Sequence, residues 1–156
     1  MAKLKQLGHL VLKVRDVERS EKFYTDVLGL RVTTRRPNNQ MVFMSLGDLS
    51  HELALLQANT DAPERQDGQI GLFHFAWEME SLEELQILQK ELEQKQIKVV
   101  RTGDHGISYG LYITDPDGNE IELYWELPKE QWPAEGYLFA GNFPLSVQEE
   151  EAVKAD

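Results

Sequence analysis

The chain has four histidines, His9, His51, His74 and His105, and no cysteine. Thiolate metal sites, iron–sulfur clusters, disulfides and cysteine nucleophiles are therefore excluded, and any chemistry must come from imidazoles and carboxylates. His9 and His74 lie in similar apolar surroundings, within LGHLVL at 7–12 and LFHFAW at 72–77. An imidazole buried in such a run without a partner is costly. Two histidines and one carboxylate carried on strands make a 2-His-1-carboxylate set, which suits non-haem Fe(II) with open positions. The carboxylate candidates are Glu120, Glu122 and Glu126, which alternate with apolar residues and so share one strand face. Glu122 stands between Ile121 and Leu123, where an unpaired charge would be expensive. Glu120 and Glu126, nearer the ends of the run, read as solvated.

The elements that must position these groups repeat. Residues 6–14 form a strand rich in branched aliphatics, and Asp16 caps a helix that buries Phe23, Val27 and Leu30. Gly29 ends that helix in a left-handed conformation. Strands follow at 30–35, 41–46 and 51–56, with turns at Pro37-Asn38-Asn39 and Gly47-Asp48. Residues 59–70 are polar, carry a proline and a glycine, and read as a linker. The order then recurs: a strand at 71–79, a helix opened by the capping pair Ser81 and Glu84, and strands at 97–101, 109–114 and 120–125. Leu85, Leu88 and Leu92 carry the buried face of the second helix, and Asp115-Pro116-Asp117-Gly118-Asn119 makes the last turn.

The class is therefore α+β, with two βαβββ modules at about 5–58 and 71–127 in a single domain spanning 1–156. Neither module, at roughly 60 residues, buries much surface alone, so one shared core is expected. Residues 128–156 form an extension whose aromatics, Trp132, Tyr137, Phe139 and Phe143, suit packing on the body or on a neighbouring subunit of a homo-oligomer. The 27 acidic residues against 16 basic ones leave a net charge of -11. That balance disfavours nucleic acid and anionic membrane surfaces as partners. No apolar run approaches the roughly 18 residues of a membrane span, and no targeting segment is visible, so the expected location is cytoplasmic.

The stretch from Gly103 through His105, Leu111-Tyr112, Asp115-Pro116-Asp117-Gly118 and Glu122 resembles the ring-cleavage signature of the type I extradiol dioxygenases. Its final glutamate falls on Glu122. These enzymes belong to the vicinal oxygen chelate superfamily, and the helix text from Asp16 through Phe23-Tyr24 to Leu28-Gly29-Leu30 is similar to that superfamily as well. The resemblance implies paired βαβββ modules forming a half-open, barrel-like sheet around a metal. It implies His9, His74 and Glu122 as ligands of Fe(II), a site that Mn, Ni or Zn could fill on purification. Ser50-His51-Glu52-Leu53-Ala54 resembles the strand bearing the acid–base histidine, which makes His51 that residue, while His105 and Tyr112 fall on groups that hydrogen-bond the substrate oxygens or the proximal histidine. The implied substrates are a small aromatic diol and O2, and the product is a ring-opened semialdehyde or dienoate.

Two other functions fit parts of this pattern. Glyoxalase I-like lyases and epimerases of the same superfamily use a fourth ligand, commonly glutamate, at the end of the first module, where Glu52 lies. His51 and Glu52 are adjacent, so in a strand they point to opposite faces and only one can serve the metal. A metal-free protein sequestering an aromatic ligand on this scaffold is the other alternative, and it would not need His9, His74 and Glu122 together.

Overall fold

The computed structural model describes residues 2–66 and 68–132. The element order is β1 (Leu10–Val14), α1 (Val17–Leu28), β2 (Arg31–Arg35), β3 (Met41–Ser45), β4 (Leu53–Gln57), β5 (His74–Glu78), α2 (Leu82–Gln94), β6 (Arg101–Asp104), β7 (Ser108–Thr114) and β8 (Glu120–Glu126). This is the βαβββ order twice, an α+β fold. The expectations for Tyr137, Phe139 and Phe143 lie outside the described residues. Among the described residues no helix is long and apolar enough to cross a membrane.

The chain divides into two compact units. The first is Met1–Ile70 with the turn Asp115–Gly118, and the second begins at Gly71 and holds the other described residues. The first unit has a four-stranded sheet in the order β1-β4-β3-β2, and the second a sheet in the order β5-β8-β7-β6. In each, the first pair is parallel and the remaining pairs are antiparallel, so both sheets are mixed and neither closes into a barrel.

Local chemistry fixes the helix ends. The Asp16 side chain accepts from Arg19 N–H at 3.0 Å and opens α1, as the sequence suggests. Gly29 closes it at φ 72, a conformation that costs a residue with a Cβ, and its N–H returns to Thr25 O at 3.1 Å. Ser81 Oγ accepts from Glu84 N–H at 3.1 Å and opens α2. The buried face of α1 is Val17, Ser20, Tyr24 and Val27, so Tyr24 rather than Phe23 is the aromatic turned inward. Leu85 and Leu92 are the fully buried residues of α2, and Leu88 is partly exposed.

Tyr24 can be buried because its hydroxyl donates to Asp115 Oδ2 at 2.9 Å, within the first unit. Burial, and next the Asp115 carboxylate, push the Tyr24 phenol well above its usual range. In the same cluster Asp117 accepts from Arg15 N–H at 3.0 Å and pairs with the Arg19 guanidinium. The Asp-Pro-Asp-Gly sequence is thus more than a turn: both of its carboxylates are bonded to residues at or beside α1.

Four strand starts fall two or more residues after the expected ones: the strand at 51–56 begins at Leu53 and that at 71–79 at His74. The strand proposed for residues 6–14 begins at Leu10, and the one at 97–101 is displaced to Arg101–Asp104. Ile97 N–H instead bonds back to Leu92 O at 2.8 Å, a contact that belongs to the end of α2. Short apolar text reads equally well as a strand or as the exit of a helix, and only the pairing partner decides.

Candidate metal centre

In the second unit the parallel register sets Glu120 beside His74 and Glu122 beside Ala76. The antiparallel register sets Tyr112 directly across from Glu122. Glu122 is buried, with 8% of its surface exposed, yet both carboxylate oxygens face polar groups. Oε2 lies 3.2 Å from His74 Nε2, and Oε1 accepts from the Tyr112 hydroxyl at 2.6 Å. His105 Nε2 lies 2.9 Å from the same hydroxyl. A phenol has one proton, and Tyr112 gives it to Glu122, so His105 must supply the proton on Nε2. The result is a directed row, His105 to Tyr112 to Glu122. Burial first, and then the bond to Glu122, push the Tyr112 phenol up to about 12, which keeps it a donor.

Space for this carboxylate comes from a missing side chain. A Cβ on Gly110 would stand 2.8 Å from Glu122 Oε1. A glycine inside a strand often marks close approach of another group, and that was the available signal for this residue. Arg101 is a second residue the sequence did not single out. It lies across from Tyr112 in the β6–β7 register, its guanidinium sits 3.2 Å from the Tyr112 ring centre, and it bonds Glu120 Oε1 at 2.7 Å. Glu120 is therefore not the freely solvated end-of-strand residue expected from its position.

The first unit holds the other two histidines. His9 is exposed and falls one residue before β1, not inside it, whereas His74 opens β5. The His9 and His51 rings are 4.5 Å apart, and His51 meets the edge of Phe43 at 5.1 Å. His51 lies just before β4, with Ser50 Oγ 3.1 Å from Nδ1. Glu52 Oε2 accepts from Leu46 N–H at 3.3 Å, so this carboxylate is engaged in its own turn.

Among the described residues no group of three or more His, Asp or Glu side chains is gathered as a metal cage. Within the second unit, however, the donors fit one edge of a metal site. Two donors each ~2.1 Å from one ion, at about a right angle, lie ~3 Å apart, close to the 3.2 Å between His74 Nε2 and Glu122 Oε2. A neutral imidazole and a carboxylate are ligands suited to a divalent first-row ion.

Residues 6–123 match the family model described as the glyoxalase/bleomycin resistance protein/dioxygenase superfamily. The chain is 35% identical over 129 residues to a catechol-2,3-dioxygenase of Bacillus subtilis, covering 81% of this chain and 43% of that protein. It is 33% identical over 119 residues to biphenyl-2,3-diol 1,2-dioxygenase 3 of Rhodococcus globerulus, covering 76% of this chain and 62% of that one. The chain thus spans less than two thirds of the length of these two relatives. Among solved structures, a lactoylglutathione lyase from Agrobacterium tumefaciens is 27% identical with a TM-score of 0.61, covering 80% of this chain and 96% of that one. On its sequence and its repeated βαβββ units, this chain belongs to the glyoxalase/bleomycin resistance protein/dioxygenase superfamily.

Proposed function

We propose that the chain is an Fe(II)-dependent extradiol dioxygenase that opens a catechol-type ring with O2. His9, His74 and Glu122 hold the metal in this reading. The observation that carries it is the row His105–Tyr112–Glu122 beside His74 Nε2, which sets a hydrogen-bonding phenol against the candidate ligand pair. The dioxygenase relatives support the same reading. Bound Fe(II) would supply the redox chemistry and would favour the anionic form of a diol hydroxyl.

The chain's own groups then handle protons and orientation. His51 Nε2 accepts the proton of the second diol hydroxyl and returns it as the ring opens, because histidine is the side chain that exchanges protons near neutral pH. Ser50 orients that ring through Nδ1. When substrate binds, Tyr112 turns its single hydroxyl proton from Glu122 Oε1 toward the reacting oxygens, while His105 Nε2–H keeps donating to the phenol oxygen and steadies the negative charge there. Both atoms of O2 enter the product, and the ring carbon–carbon bond next to the diol breaks, giving a hydroxymuconic semialdehyde or related dienoate.

A glyoxalase-type isomerase would require a fourth ligand from the first module. Glu52 is engaged with Leu46 N–H, and the residue whose register with β1 matches that of Glu122 with β5 is Ala54. The decisive experiment is anaerobic loading with Fe(II), followed by air and a panel of catechol, alkylcatechols and 2,3-dihydroxybiphenyl. A yellow ring-opened product is expected. Its absence across the panel refutes the proposal. Isomerisation of a glutathione hemithioacetal by the Ni or Zn form would then point to the lyase, and failure to take up any metal to the aromatic-ligand binder.

A further inference from the structure

We propose that Arg101 and Glu120 are positioning residues that decide which nitrogen of His74 carries its proton, and so turn the lone pair of Nε2 toward Glu122. The link to metal binding rests on the reading above. The tautomer itself is a property of the metal-free protein.

His74 Nδ1 is buried and has no hydrogen-bond partner. Glu120 Oε1 faces it at 3.9 Å, because the parallel β5–β8 register makes the two residues neighbours. Closing that gap to an ordinary N–H···O bond needs a shift of about 1 Å, within the reach of two side chains that rotate toward each other. An unmade bond at a buried nitrogen favours that rotation, since the desolvation cost is otherwise uncompensated.

The outcome matters because His74 has a competing choice. With the proton on Nε2, the ring would donate to Glu122 Oε2 at 3.2 Å and use up both candidate donor atoms in one internal bond. With the proton on Nδ1, held by a carboxylate, Nε2 presents a lone pair. Carboxylate acceptance at the far ring nitrogen is the general way a ligating histidine is fixed in tautomer and orientation.

Arg101 decides whether Glu120 is available for this work. Its guanidinium bonds Glu120 Oε1 at 2.7 Å and lies over the Tyr112 ring. A carboxylate oxygen has two lone pairs, so Oε1 can accept from Arg101 and from His74 Nδ1 together. One cation thereby braces both supports of the ligand pair: Glu120 behind His74, and Tyr112 behind Glu122. Lysine would not replace it, because a compact ammonium lacks the flat face that rests on the phenol ring.

The test uses the full-length, metal-free chain labelled with 15N. Ring-nitrogen shifts give the tautomer of His74, assigned by the signal missing in His74→Gln. The native protein is expected to show the Nδ1–H form. Glu120→Ala should move His74 toward Nε2–H. Glu120→Gln keeps the volume and an acceptor oxygen and should fall between. Arg101→Met should shift the population in the same direction by a smaller amount. Titration with Co(II) alone should then show affinity reduced on the order of 10- to 100-fold in Glu120→Ala, and less in the other two. A native His74 already in the Nε2–H form overturns the proposal, as does a tautomer unmoved by Glu120→Ala and Glu120→Gln. A native chain that takes up neither Co(II) nor Fe(II) overturns the metal reading instead, and the tautomer measurement still decides the role of Glu120.

Discussion

Gly110→Ala separates the position of Glu122 from the stability of the fold. Gly110 lies in β7 opposite Tyr124 and does not have a positive φ, so an alanine can adopt its backbone conformation. The conflict is with one side chain: the new Cβ would stand 2.8 Å from Glu122 Oε1, where ordinary contact begins near 3.4 Å. The carboxylate must retreat by about 0.6 Å, since the strand backbone cannot follow without breaking its ladder. That shift acts on the Tyr112 bond at 2.6 Å and on the 3.2 Å approach to His74 Nε2. A misplacement of ~1 Å near reacting groups costs on the order of 10²-fold, so about half of that should cost roughly tenfold.

Stability should move much less. Alanine reduces the freedom of the unfolded chain and returns about 0.4–1 kcal/mol, while the crowding takes back a similar amount. Gly110→Ala is therefore expected to unfold in urea within ~1 kcal/mol of the native chain, while Co(II) affinity and ring-cleavage turnover fall about tenfold. In a Glu122→Ala background the obstacle is gone, and the same substitution should stabilise. The two changes should couple by about 1 kcal/mol or more in a double-mutant cycle. Native-like Co(II) affinity and turnover in Gly110→Ala, with no coupling to Glu122→Ala, would refute the reasoning.

Four further substitutions carry their own expected outcomes. Tyr112→Phe keeps the ring under Arg101 but removes the hydroxyl between His105 and Glu122, so turnover should fall on the order of 10²–10³-fold in steady-state assays. His51→Ala should lower oxygen consumption with catechol by ~10²–10⁴-fold and leave Co(II) uptake unchanged. Tyr24→Phe removes the donor to buried Asp115 and should cost about 1–3 kcal/mol in urea unfolding. Because the folded Tyr24 phenol lies above its unfolded value of ~10, its contribution is complete below that pH and is lost as pH rises beyond it, so Tyr24→Phe should flatten the alkaline decline in stability. Leu92→Ala, at a fully buried position of α2, should cost ~2–5 kcal/mol by the same unfolding measurement.

What the sequence made legible was whatever is decided within a few residues. Asp16, Gly29 and Ser81 act on backbone groups three or four positions away, and each does what its residue type suggests. Tyr24 and Phe23 are neighbours, and periodicity alone could not say which turns inward. The answer depends on Asp115, which is 91 positions along the chain and bonds the Tyr24 hydroxyl. The start of β6 was missed for the same reason, because the Arg101–Tyr112 and Gly103–Gly110 pairings set it, not the apolar text of Ile97 to Val100. Arg101 and Gly110 escaped notice, and Glu120 was read as solvated, because each acts across a strand boundary.

The repeat shows why register carries more chemical information than similarity along the chain. Leu10 pairs with Leu53 in the first unit as Phe75 pairs with Ile121 in the second. Matching the two ladders at these pairs puts Glu52 in the place of Glu120 and Ala54 in the place of Glu122. Reading along the chain, Glu52 looks like the counterpart of the buried glutamate, because both stand in an apolar run. Reading across the ladder, it is the counterpart of Glu120, two positions before the buried glutamate, and it is bonded to Leu46 N–H in its own turn. The inward place in β4 belongs to an alanine that is fully buried and offers no oxygen. A carboxylate there would need a phenol such as Tyr112 to satisfy it, and in the ladder β3–β4 the residue paired with Ala54 is Phe43, which has no hydroxyl. The two modules therefore share a backbone plan but not the buried carboxylate, and the asymmetry lies in two cross-strand pairs: Glu122 with Tyr112, and Ala54 with Phe43.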